Sequence, residues 1–163
     1  QEGTFEWAED MNDANPEVYG GSEGLEYKDG FLTFVAVEHR FIFRLNMATG
    51  TYTRKKLPFI QEPDNLRFLD DTLYVLTDGD HTPNDGVWAW DQTGAYQVWR
   101  EEEHNYPAGV AFSPDNKIMY VSHYGEATWQ IWREDGYAFN EPHLGANYTD
   151  LVGGLDSPIV VRN

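Results

Sequence analysis

Apolar and polar positions alternate along this chain in short runs separated by turn residues, and the runs fall into three groups with one layout. In the first group, Leu25 and Tyr27 alternate with polar neighbours and Asp29-Gly30 forms a hairpin turn. Residues 31–37 are continuously apolar, as an inner strand covered on both faces must be. A reversal at Glu38-His39 leads to a third strand over 40–45 and a fourth over 51–57, which Pro58 ends. The second group repeats this with strands over 65–68, 72–77, 87–91 and 95–99, a turn at Asp70-Asp71 and an acidic insertion over 78–85. The third has strands over 109–112, 117–122, 129–133 and 137–139, a turn at Ser113-Pro114-Asp115-Asn116 and a loop over 124–128.

A glycine closes the turn after each third strand: Gly50, Gly94 and Gly136, spaced 44 and 42 residues apart. That period is the length of one four-stranded propeller blade, a unit that cannot bury its own faces and must stack on neighbours. The pattern predicts an all-β fold, a β-propeller with about three four-stranded blades over 22–58, 62–101 and 107–141 of a single partial domain, 1–163. Residues 4–8 and 159–162 each read as one strand supplied to a neighbouring blade, and 9–22 as an irregular loop with a stop at Pro16. Three blades do not close a ring, so the expectation is part of a larger one, for example six-bladed. Further blades of the same polypeptide, or a second chain, would complete it.

Composition narrows the function. Aromatic residues are 15% of the chain, which fits a packed core. With 28 acidic and 11 basic residues, the net charge of −17 repels nucleic acid and anionic membranes and attracts cations. The one basic cluster, Arg54-Lys55-Lys56, reads as a solvated strand end, and Glu101-Glu102-Glu103 as a solvated blade edge that discourages edge pairing. The absence of cysteine excludes disulfides, thiolate metal sites and cysteine nucleophiles. No apolar run is long enough to span a bilayer. The start at Gln1 and the glycosylation sequon at Asn147 fit a processed or excised segment that is secreted, or lodged in an organelle lumen.

Candidate chemistry concentrates at the entrances of the first strands: Glu23-Gly24, Pro63-Asp64-Asn65 and Ala108-Gly109. In a propeller these positions converge on the central channel, and repeated oxygen donors there suit a hard cation such as calcium. Glu23, Asp64 and Asn65 are the leading ligands. The other reading of the same groups is that they cap turns and bond their own backbone. The insertion supplies Asp78, at the end of a buried strand, and Asp80. Its three carboxylates and one asparagine over 78–86 either wrap a calcium ion or form an acidic turn, and they depart from the EF-hand template at Thr82. His123 is a further candidate, for a metal or a phosphate oxygen, against a structural histidine at a strand end. Trp88, Trp90, Trp99, Trp129 and Trp132 alternate on strands, so several should face the packing between blades. Nucleophile elbows, phosphate loops and zinc-protease motifs are missing.

Segments from all three groups carry a family resemblance. Glu62-Pro63-Asp64-Asn65-Leu66-Arg67-Phe68, followed by Leu73-Tyr74-Val75-Leu76-Thr77-Asp78-Gly79, resembles the PhoX-type alkaline phosphatases, as does Ala111-Phe112-Ser113-Pro114-Asp115 before Met119-Tyr120-Val121-Ser122. Glu23-Gly24-Leu25 is similar to that family's Glu-Gly calcium motif; gluconolactonase and regucalcin propellers share such an opening and are the nearest competitors. The likeness covers residues 22–140. It implies calcium ligation at Glu23, with Asp64, Asn65 and Asp78, in a secreted metal-dependent phosphomonoesterase. The family also uses iron with a cysteine ligand, so iron is not expected on this chain. Since the chain holds about half a propeller, activity from it alone is not expected either. The alternative is a non-catalytic structural or interaction module within a larger assembly.

Overall fold

The computed structural model describes residues 1–7, 21–57, 61–78, 85–91, 94–101, 107–123, 128–133 and 135–141. The expected strand over 159–162, most of the expected loop over 9–22, the sequon at Asn147 and Asp80 lie outside them. Three antiparallel sheets follow in chain order, with no helix among the described residues. Sheet 1 contains β1 (Glu2–Thr4), β2 (Ser22–Lys28), β3 (Phe31–Ala36), β4 (Phe41–Asn46) and β5 (Thr51–Lys56), in the order β1-β5-β4-β3-β2. Sheet 2 is the meander β6 (Pro63–Leu69), β7 (Thr72–Thr77), β8 (Gly86–Trp90) and β9 (Ala95–Arg100). Sheet 3 contains β10 (Pro107–Phe112), β11 (Ile118–His123) and β12 (Thr128–Trp132).

The turn residues explain the meanders. Asp29, Asp70 and Asn116 take left-handed backbone angles in the first hairpin of each sheet, a conformation that short polar side chains tolerate. Gly50, Gly94 and Gly136 all have positive φ and all follow a third strand. Each first strand also carries a β-bulge near its start, leaving Gly24, Asp64 and Ala108 without a cross-strand partner. The bulge carries each strand past the point where simple alternation stops, so β6 and β10 begin two residues before the strands expected from 65 and 109.

Two seams hold the stack together. Between sheets 1 and 2, Val35 and Ile42 pack on Leu66, Leu73 and Val75, with Phe68, Trp88 and Trp90 beside them. Between sheets 2 and 3, Tyr74, Leu76, Val87 and Trp99 meet Val110, Met119, Val121 and Ile131. A third cluster, Ala36, Phe43 and Leu45 with Phe34 and Tyr52, lies on the face of sheet 1 that points away from sheet 2. On that face Leu25 is 66% exposed, although Leu66 and Val110, next in line on β6 and β10, are buried by the preceding sheet.

Two expected strands differ. The N-terminal strand is Glu2–Thr4 rather than 4–8, and it pairs with β5 at the outer edge of sheet 1. Residues 137–139 do not form a fourth strand of sheet 3. The Arg133 guanidinium binds the Ala138 and Glu141 carbonyls and the Asp135 carboxylate, which in turn accepts the Tyr137 N–H at 3.1 Å. These bonds close a compact turn where a hairpin was expected, and drop Phe139 into the seam against Phe112.

Candidate functional site at the first-strand entrances

Glu23 stands at the start of β2 because Gly24 lets β2 press against β6. Gly24 has φ +41, and a Cβ there would lie 2.8 Å from the Asn65 Cα and the Leu66 nitrogen. Only glycine fits that approach without moving backbone. The same contact brings the start of β2 beside Asp64, the bulged residue of β6. Glu62, left-handed at φ +42, turns the chain into β6, and its carbonyl accepts the Asp78 N–H at 3.3 Å. Asp78, at the end of β7, is thereby tied next to the start of β6.

The electrostatics record how close these carboxylates lie. Burial, then the charges of Asp78 and Glu23, push the Asp64 carboxyl up to about 6. Burial, followed by the charges of Glu62 and Asp85, raises Asp78 as well, with a smaller push from Glu23. Five carboxylates therefore share one end of sheets 1 and 2. Chemically the group is a set of oxygen donors short of positive charge, which is what a hard cation requires. Among the described residues, no three carboxylate or histidine side chains close into a complete metal cage. A cation here would draw its remaining donors from the Asn65 amide, backbone carbonyls and water.

Of the candidates named from sequence, Glu23, Asp64, Asn65 and Asp78 are brought together at this end. His123 is placed apart, in the seam between sheets 2 and 3. Its Nε2 lies 2.7 Å from Glu101 Oε2, with Trp99 and Trp129 edge-on to the ring. Both side chains are buried. Glu101 is thus no solvated edge, while Glu102 and Glu103 lie outside the described residues. It sits two residues after Trp99, on the same side of the chain, and turns into the seam. That spacing from a buried tryptophan was the available signal. Glu62 was also missed, because its role depends on chain reversals that bring distant residues together, and Asp85 was named only as one of the insertion's three carboxylates. Glu26 was missed for the same reason: its carboxylate accepts the Phe68 N–H at 2.5 Å and lies 3.6 Å from Arg67.

No protein-family model and no curated protein matches this chain. Solved structures do. A streptogramin B lyase superposes with TM-score 0.56 at 15% identity, covering 78% of this chain and 44% of its own. A virginiamycin B lyase from Staphylococcus aureus gives 0.56 at 16%, covering 86% and 45%. A calcium-binding regucalcin from Agrobacterium tumefaciens gives 0.53 at 17%, covering 71% and 42%. The chain spans less than half the length of each. At these identities the likeness is one of fold: the chain has the all-β, β-propeller architecture.

Proposed function

We propose that this chain is a calcium-binding segment of a secreted propeller resembling the PhoX-type phosphomonoesterases. The observation that carries the reading is the convergence at the strand entrances, where Gly24 presses β2 on β6 and Asp78 is tied to Glu62; burial, with the Asp78 and Glu23 charges, raises the Asp64 carboxyl there to about 6. Such repulsion is relieved when a divalent cation takes the place of a proton. Glu23, Asp64, Asn65 and Asp78 would hold the ion. In a phosphatase the bound metal supplies charge to polarise a phosphate ester and activate water. An open, partly exposed donor set suits the weak affinities of extracellular calcium modules, which supports a secreted setting. The regucalcin neighbour is itself a calcium-binding protein.

A second reading, a non-catalytic propeller module, has its own support in the outer face of sheet 1. Leu25 and Tyr27 are 66% and 64% exposed there, at positions that a preceding blade would cover. Further blades of the same polypeptide, or a second chain, are the proposed cover. Calorimetric titration with calcium, alongside a phosphomonoester assay with and without the ion, separates the readings. Saturable calcium binding that Glu23→Gln and Asp78→Asn each weaken supports the site. Binding without hydrolysis, also when the ring is completed, supports the module; affinity unchanged in both variants rejects the site.

A further inference from the structure

A groove of about 540 Å³ opens in the seam between sheets 1 and 2, towards the β2–β3 turn and away from the Glu23 entrance. Its volume is in the range of small-molecule sites. The floor is apolar, from Ile42, Phe68, Leu73 and Trp90. Thr33 lines it as well. That residue is 1% exposed, and its Oγ1 has no hydrogen-bond partner among the described residues. Its burial sets that hydroxyl behind the groove's lining rather than open to a ligand.

The charges at the mouth are unusual for so acidic a chain. Strand register puts Thr33, Arg44 and Thr53 in one row of the sheet face and Ile42 and Lys55 in the next, which makes Arg44 and Lys55 diagonal neighbours. Neither has a carboxylate partner among the described residues. Arg44 lies over the Phe31 ring at 4.0 Å, and Lys55 over Trp90 at 4.1 Å. The nearby acids are otherwise engaged or peripheral. Glu26, beside Thr33 in the same row, accepts the Phe68 N–H and lies 3.6 Å from Arg67. Asp71 meets Lys28 at 3.5 Å, Asp91 accepts from the Gly94 N–H and the Tyr96 hydroxyl, and Glu2 is exposed at the rim. Arg54, also at the rim, binds Gln1 and covers Phe41. The positive charge at the mouth is therefore that of Arg44 and Lys55, both exposed, and Lys55 holds the solvated position expected at the end of β5.

We infer that this groove is a binding site for a small organic anion with a planar apolar body. The anionic group meets Arg44 and Lys55, and the ring packs against Phe68, Leu73 and Trp90. The inference does not rest on calcium at the strand entrances.

Titrating the intact chain with 2-naphthoate and, separately, with the neutral 2-naphthalenemethanol tests it, read by amide and indole NMR shifts and by calorimetry. The expected result is saturable naphthoate shifts at Thr33, Arg44, Leu73 and the Trp90 indole, with the alcohol at least about tenfold weaker. Arg44→Gln combined with Lys55→Gln should cost naphthoate about tenfold or more with the melting temperature held. Thr33→Val should raise the melting temperature of the free chain, since it removes the unbonded hydroxyl, and leave naphthoate affinity unchanged. Chelating divalent ions should change nothing. Equal affinity for acid and alcohol, undiminished affinity in the double variant, or shifts confined to other surfaces would each overturn the proposal.

Discussion

The two seams are built from the same repeat and have become different things. Between sheets 2 and 3, the apolar residues close tightly: Tyr74, Leu76, Val87, Met119 and Val121 are completely buried. Two polar pairs are joined there, the Tyr74 hydroxyl with the Phe139 carbonyl and His123 Nε2 with Glu101, while His123 Nδ1 has no hydrogen-bond partner among the described residues. Between sheets 1 and 2, one end gathers carboxylates and the other opens into a groove. Its cations rest on aromatic rings, and one of its hydroxyls is unbonded. A stacked repeat fixes how sheets approach but not what their facing side chains do. One seam therefore holds the larger buried cluster while the other carries the candidate chemistry.

The largest difference between the seams should appear on truncation. Tyr74→Ala removes a buried ring and its hydroxyl bond and should cost about 4 kcal/mol in chemical denaturation, against about 2 kcal/mol for Ile42→Ala beside the groove. Equal costs would mean that the seams are not distinct in stability. Next, Gly24→Ala forces β2 from β6 and should cost at least about 2 kcal/mol, with a drop in calcium affinity because Glu23 is displaced. Glu101→Ala leaves buried His123 without its carboxylate and should cost about 2 kcal/mol. Its calcium affinity should match that of the parent chain.

The smallest effect has the opposite sign. Folded Asp64 keeps its proton to about pH 6, whereas an ordinary carboxyl loses it near 3.8, so the folded chain holds the extra proton between these values. Stability contributed by this group is therefore lost as pH rises through that window, and Asp78 acts in the same direction. With solvent screening of this half-exposed group, Asp64→Asn should stabilise the metal-free chain by about 1 kcal/mol at pH 7. Melting curves with saturating calcium should lose this pH dependence. A chain whose metal-free stability rises from about pH 4 to about 6.5, with the same rise abolished in Asp64→Asn, would contradict the assignment.

Much of the sheet structure was legible because turn chemistry and alternation are local. Asp29-Gly30 and Asp70-Asp71 mark hairpins without reference to anything distant. The turn that replaced a strand at 137–139 was not legible, since Arg133 could not be seen to reach two carbonyls further along the chain. At the strand entrances, the residue types of Glu23, Asp64 and Asp78 pointed to oxygen chemistry. The bulges and the close approach at Gly24, which bring them together, are tertiary facts. Thr33 gave no signal at all: a threonine on a strand is ordinary until its surroundings fail to offer a partner.

The middle sheet is the only one of the three with both faces against another described sheet. Opening it for solvent exchange requires breaking two seams at once, whereas sheets 1 and 3 can each loosen by losing one. Amide exchange should accordingly be slowest at Val75 and Leu76 in β7. The strands of sheet 1 nearest its outer face should exchange by smaller openings well before global unfolding. Such a gradient makes sheet 2 the keystone of the stack: damage at either end is contained, and damage to β7 reaches both ends.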